Sequence, residues 1–114
     1  MNATLRDKDY LEHILDAIAR IRRYLASKEE SEFMTDALIQ DAVIRNLEVI
    51  GEAVTKLSAE LKEKHSDIPW SDIAGMRNRL IHGYISVNLL IVWDTAVKVL
   101  PGFAARAEEI QRGM

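Results

Sequence analysis

The sequence predicts an all-α fold, an up-and-down four-helix bundle with a short extra helix at its C-terminal end. Apolar residues recur three and four positions apart through most of the 114 residues, which is the spacing of a helix with one buried face. The two prolines and the scattered glycines separate these periodic stretches. Because 48% of the residues are hydrophobic, one continuous core is expected, in a single domain over residues 1–114.

The first helix is predicted from about Asp7 to Leu25, where the apolar positions form one stripe. The following segment, Ser27–Ser31, is polar and is expected to loop. Ser31 or Thr35 is then available to cap the next helix, since both side chains accept hydrogen bonds from free N–H groups.

A second, long helix is predicted from about Met34 to Lys64, and its apolar residues lie on more than one side. It is expected to lie centrally in the bundle. Gly51 in its middle costs helix stability relative to alanine, which indicates the close approach of another backbone. Apolar surface left uncovered by a small bundle favours a homodimer or a higher homo-oligomer.

The boundaries of the remaining helices are predicted from prolines, a glycine and a capping residue. Pro69 suits the first turn of a short third helix, which Gly75 is expected to kink. Asn88 is expected to cap the fourth helix, and Pro101 to interrupt it. The extra C-terminal helix is then predicted over Phe103–Gln111.

Composition limits the possible partners. The chain has no cysteine, so disulfides and thiolate metal sites are excluded. No apolar run resembles a signal peptide or a membrane span, and we expect a cytoplasmic protein with no membrane partner. A net charge of -3 means that any RNA site is local. Three arginines of the first helix could extend such a site or form an ordinary solvated face: Arg20, Arg22 and Arg23.

The segment Arg77–Tyr84 concentrates the chemistry of the chain. It contains two arginines, an amide, an imidazole and a phenol, and reads Arg-Asn-Arg-Leu-Ile-His-Gly-Tyr. Arginine suits phosphate oxygens and histidine titrates near neutrality, so the segment favours phosphoryl chemistry. The alternative is structural, because Gly83 can be a helix C-cap and a cation in the last turn suits the helix dipole.

Helical geometry places some of these residues apart. If the helix continues to the histidine, Asn78 and His82 share a face, whereas Arg77 and His82 lie about 140° apart. A joint site then requires the arginine to wrap around the turn, the helix to distort, or a second subunit to complete the cleft. We favour the second subunit.

Four blocks of the chain carry a family resemblance. These are residues 41–53, Ile68–Trp70, residues 75–84 and Ile91–Asp94. In this order they resemble the HepT-like ribonuclease branch of the HEPN superfamily, over nearly the whole chain. The motif is an arginine, four residues, a histidine, one residue and a tyrosine, and no member of it is missing.

The resemblance implies a HEPN-like, homodimeric RNase toxin of a type II toxin-antitoxin pair, encoded with an MNT-type nucleotidyltransferase antitoxin. It implies that Arg77 and His82 are catalytic at a dimer cleft, supported by Asn78 and Arg79, and that the antitoxin transfers AMP to Tyr84. No metal or cofactor is expected, because the ribose 2′-hydroxyl of the RNA substrate would be the nucleophile.

Two other classes of function are compatible with a small helical domain. A metal enzyme is disfavoured, because His13, His65 and His82 are far apart in the sequence and form no paired histidine motif. A non-catalytic dimeric binding module remains open. In that module Arg77 and His82 would recognise a nucleotidyltransferase partner or its nucleotide.

Overall fold

The protein is helical, as the sequence predicted, with one small strand pair. The computed structural model describes residues 3–82 and 86–114. Its helical elements in chain order are α1 (Ala3–Leu25), α2 (Glu30–Met34), α3 (Ala37–Lys56), α4 (Ala59–Lys64), α5 (Trp70–Ala74), α6 (Met76–Leu80), α7 (Leu89–Asp94), a π-helical turn (Thr95–Val99) and α8 (Leu100–Arg112). The strands are β1 (Ile81–His82) and β2 (Ser86–Val87), which pair antiparallel.

The core lies between α1, α3 and the helices that follow the strands. α1 packs along α3 and also contacts α8, while α7 packs on α2 and α3. The predicted stripe of α1 is buried at Leu11, Ile14, Ile18 and Ile21. Phe33 of α2 is fully buried and its ring centroid lies 5.5 Å from that of Trp93. This packing confirms the predicted all-α bundle.

The start of the predicted second helix was wrong in detail. The expected loop is shorter, because α2 begins at Glu30. Its first turn is closed by the backbone N–H of Glu29, which donates to Oε1 of Glu32 at 2.9 Å. Asp36 caps α3 by accepting from Ile39 N at 3.1 Å, so neither Ser31 nor Thr35 is the cap.

The predicted long helix is also broken near its end. α3 stops at Lys56, and Ser58 begins α4 by accepting from Leu61 N at 3.2 Å. The apolar seam continues across the break through Leu57 and Leu61, both buried. Apolar spacing alone therefore did not reveal it.

Gly51 brings α5 close to α3, as predicted. A Cβ at this position would lie 3.4 Å from the carbonyl oxygen of Ala74 and 3.6 Å from that of Ile73. Both oxygens belong to the last turn of α5, so the helix end rests on the α3 backbone. Pro69 takes the N-cap position of α5, one residue earlier than predicted, and Gly75 separates α5 from α6.

Residues 89–112 form a nearly continuous helical rod. Asn88 caps α7 by accepting from Ile91 N at 3.2 Å, which confirms that prediction. Pro101 does not interrupt the helix, contrary to prediction, because it lies in the first turn of α8, where an N–H is dispensable. The π turn precedes it, with Leu100 N–H donating to Thr95 O. The predicted Phe103–Gln111 helix is thus part of α8.

Arg106 ties α8 to the turn after α4. Its guanidinium donates to Glu109 at 2.7 Å and to both carboxylate oxygens of Asp67, at 2.8 and 2.9 Å. The Glu109 hydrogen bond and the Asp67 charge outweigh desolvation and raise the pKa of Arg106 above its usual value. Among residues 3–82 and 86–114, no helix has the length and apolar character to cross a bilayer.

Candidate functional site

The motif residues of α6 and β1 follow one another at the edge of the bundle. Arg77, Asn78 and Arg79 lie in α6, which ends at Leu80, and His82 lies in β1 opposite Ser86. The predicted helical relation between Asn78 and His82 was therefore wrong. The chain changes from helix to extended structure between them.

Gly75 sets the position of α6. Its backbone N–H donates to Ser71 O at 2.9 Å and closes α5, while its carbonyl accepts from Asn78 N at 3.1 Å and Arg79 N at 3.3 Å and opens α6. One residue thus ends one helix and starts the next. Since Gly51 holds α5 against α3, the same contact fixes where α6 begins.

α6 has an inner and an outer side. Met76 is buried with 3% of its surface exposed, whereas Asn78 and Arg79 are exposed. Arg79 donates from Nη2 to the carbonyl oxygen of Asp72 at 2.8 Å, which holds the guanidinium against α5. The two predicted supporting residues are therefore at the protein surface, and Arg79 is oriented by a backbone contact.

The other predicted residues are placed as follows. Gly83, the expected C-cap, and Tyr84, the expected modification site, lie outside the described residues. Arg20, Arg22 and Arg23 are exposed on α1, whose main contacts are with α3 and α8. Among the described residues, the main contacts of α6 are with α3, α5 and α7, so the helix that bears these arginines is not one of its main neighbours.

A cavity of about 360 Å³ adjoins α6 and was not predicted from the sequence. It lies between the α5–α6 pair and the rod formed by α7, the π turn and α8. Arg79 contributes to one wall, and Ile91, Thr95 and Val99 to the opposite one. The spacing of four between these three residues is the signal in the sequence that places them on one side of the helix.

Within residues 3–82 and 86–114, no group of three or more His, Asp or Glu side chains is placed to hold a metal ion together.

The helical bundle, with an arginine-rich helix leading directly into a histidine-bearing strand, is consistent with a HEPN-like domain. The family model described as "Ribonuclease HepT-like" matches residues 14–110. The chain therefore belongs to the HepT-like ribonuclease family.

Individual relatives agree with this assignment. A protein of Caldanaerobacter subterraneus subsp. tengcongensis, named as a "Putative RNase", is 42% identical over 103 residues, which cover 90% of this chain and 92% of that protein. The "Probable ribonuclease HepT" of Thermococcus cleftensis is 37% identical over 105 residues, covering 92% and 96%. A "Putative RNase" of Methanocaldococcus jannaschii is 41% identical over 103 residues, covering 90% and 85%. No solved structure matches the chain.

Proposed function

We propose that this protein is a metal-independent endoribonuclease and the toxin component of a type II toxin-antitoxin pair. The observation that carries the proposal is the placement of Arg77, Asn78 and Arg79 on a short helix at the bundle edge, directly ahead of His82, in a chain of a ribonuclease family. Arginine donors close in sequence to an imidazole suit an RNA phosphate, and Asn78 and Arg79 of this segment are exposed.

The proposed reaction uses the nucleophile of the substrate. A ribose 2′-hydroxyl attacks the adjacent phosphorus, and the bond to the 5′-oxygen of the next nucleotide breaks. His82 transfers a proton as general base or acid, and Arg77 neutralises charge on the phosphoryl oxygens. Asn78 and Arg79, both at the surface, orient the RNA backbone through additional N–H donors.

A homodimer would complete the cleft. Leu90 and Val97, 53% and 42% exposed, give α7 and the π turn an uncovered apolar surface that a second copy of the chain can bury. Because α6 packs on α7, a partner seated there would lie near the motif. Sedimentation at micromolar concentration is expected to show a dimer, and a monomer alone would remove this part of the proposal.

Regulation is proposed at Tyr84. An MNT-type nucleotidyltransferase antitoxin would attach AMP to its hydroxyl, two residues beyond His82. The added bulk and negative charge would exclude RNA phosphates from the cleft, as phosphorylation does near other anion sites.

Incubation of the purified protein with total RNA in the presence of a chelator tests the proposal. The parent and Arg22→Ala, a matched exposed arginine on α1, are expected to cut RNA, whereas Arg77→Ala and His82→Ala are expected to lose activity. Equal cleavage by all four would indicate a contaminating nuclease. No cleavage by any of them, in a folded dimer, would favour the alternative of a non-catalytic module that binds a nucleotidyltransferase or its nucleotide.

A further inference from the structure

The cavity beside α6 combines a buried apolar floor with a partly exposed rim. Ile73, Met76 and Phe103 line it and are 6%, 3% and 6% exposed. Ile91 and Val99 line its outer side and are 43% and 53% exposed. Such a cavity, about 360 Å³ in volume, is within the size range of small-ligand sites in proteins.

Polar groups stand on facing walls of this cavity. Arg79 is on the α6 side, with its guanidinium anchored to Asp72 O at 2.8 Å. Thr95 is on the other side, at the start of the π turn. A guanidinium has five N–H donors, more than the anchoring bond uses, and a hydroxyl can both donate and accept. The cavity can therefore hold a flat apolar body and bond to its polar edge.

The π turn contributes Thr95 and Val99, two of the side chains on the cavity wall opposite Arg79. In the π turn Leu100 N–H bonds to Thr95 O, so the rod is locally widened. Ile91, Thr95 and Val99, each four residues apart, all reach the cavity, whereas Leu90 and Val97 do not line it. Among the described residues, Ile91 and Val99 are exposed apolar side chains of the rod that line the cavity beside α6, and Leu90 and Val97 are exposed apolar side chains that do not line it.

The chemistry of this cavity fits an unpaired nucleobase better than a second protein chain. A nucleobase has apolar faces and a hydrogen-bonding edge, and proteins bind such bases on apolar or aromatic surfaces beside a cationic track for the backbone. Arg79 lines the cavity and sits on the same helix as Arg77 and Asn78, so a base in the cavity would leave its phosphate beside the motif. The surface proposed above for a second chain, at Leu90 and Val97, does not line this cavity.

We infer that this cavity is a base-binding subsite for a nucleotide of the RNA substrate, with Arg79 at the junction between base and phosphate. That the bound nucleotide belongs to RNA rests on the proposed RNase function. The inference adds that the residues lining the cavity select which base lies next to the cleaved bond. Val99 and Ile91 would be the specificity-determining positions, because they form the exposed rim.

The test is equilibrium binding by NMR, using the four nucleoside 3′-monophosphates and inorganic phosphate as probes. Val99→Trp fills the rim, and Lys98→Trp is its matched control, since Lys98 is an exposed residue of the same turn that does not line the cavity. The parent is expected to bind at least one nucleotide about tenfold more tightly than phosphate. Val99→Trp is expected to remove that difference while leaving phosphate affinity unchanged, and Lys98→Trp to preserve it.

Two results would overturn the subsite. One is equal affinity of the parent for phosphate and for all four nucleotides. The other is a Val99→Trp variant that keeps the nucleotide preference, including one that instead loses the dimer in sedimentation, which would assign the rim to a second chain. Neither depends on cleavage. A parent that shows the base preference yet cuts no RNA would support the subsite and contradict the RNase function. A parent that cuts RNA without a base preference would support the RNase function and contradict the subsite.

Discussion

Both carboxylate oxygens of Asp7 accept hydrogen bonds from Ser58, one from the backbone N–H at 2.8 Å and one from the hydroxyl at 2.6 Å. Ser58 in turn caps α4 through Leu61 N. Asp7 is only 5% exposed, so these bonds satisfy a carboxylate that is largely removed from water. They connect the first turns of α1 to the break between α3 and α4.

Asp7→Ala is expected to lower the free energy of unfolding by about 1–3 kcal/mol, because it leaves the Ser58 donors without their acceptor. Urea denaturation measures this change. Asp9→Ala, two residues along on the exposed side of α1, is the control and is expected to change stability by about 0.5 kcal/mol or less. Equal effects of the two substitutions would contradict a structural role for the Asp7 contact.

The same contact shows what the sequence could and could not reveal. The helix break at Ser58 depends on a partner 51 residues earlier, which no local pattern contains. The apolar spacing through Leu57 and Leu61 suggested an unbroken helix. Asn88 was predicted correctly as a cap because its partner, Ile91 N, is three residues away. This local hydrogen bond was predictable, whereas the long-range contact between Ser58 and Asp7 was not.

Gly51 offers a test of how α5 and α6 are positioned. Gly51→Ala is expected to change the free energy of unfolding by about 1 kcal/mol or less. The new Cβ would lie at ordinary contact distance from the Ala74 carbonyl oxygen, and alanine favours the helix more than glycine does. Gly51→Leu adds atoms that the close packing cannot accept, with an expected loss of about 1–3 kcal/mol.

RNA cleavage by the two Gly51 variants should depend on whether the contact between α3 and α5 is kept, because α6, which carries the motif arginines, starts where α5 ends. Gly51→Ala is expected to retain parental activity, and Gly51→Leu to lose most of it at a temperature where it remains folded by circular dichroism. Full activity of a folded Gly51→Leu variant would separate the site from the α3–α5 contact.

Tyr84→Phe is expected to keep the RNase activity and to escape inhibition by the antitoxin, because the phenol oxygen is the proposed acceptor of AMP. Cleavage assays with the antitoxin and ATP, together with intact mass, measure both effects. Persistent inhibition without added mass at residue 84 would refute the modification site. The parent under the same conditions is the control.

Asn88→Ala is expected to cost about 1 kcal/mol of stability through loss of the α7 cap, and Asn88→Asp to cost less, since it retains an acceptor for Ile91 N. Thermal unfolding of both variants gives the comparison. Identical losses would mean that the side-chain oxygen does not act as the cap.

The candidate site was only partly predictable. The residue types of Arg77, Asn78, Arg79 and His82 indicated phosphate chemistry before any fold was known. Their relative placement did not follow, because the helix was expected to continue to His82 and instead ends at Leu80. The cavity beside Arg79 is lined by residues of α5 and of the π turn, which are distant in the sequence, and sequence periodicity does not encode this juxtaposition.

The most direct test of the account is cleavage of one RNA oligonucleotide and of its copy with a single 2′-deoxy residue on the 5′ side of the cleaved bond, both in chelator. The parent is expected to cut the all-ribose strand, leaving a 2′,3′-cyclic phosphate, and to leave the deoxy-substituted bond intact. His82→Ala should cut neither. Cleavage of the deoxy-substituted bond at a similar rate would contradict attack by the substrate's own hydroxyl.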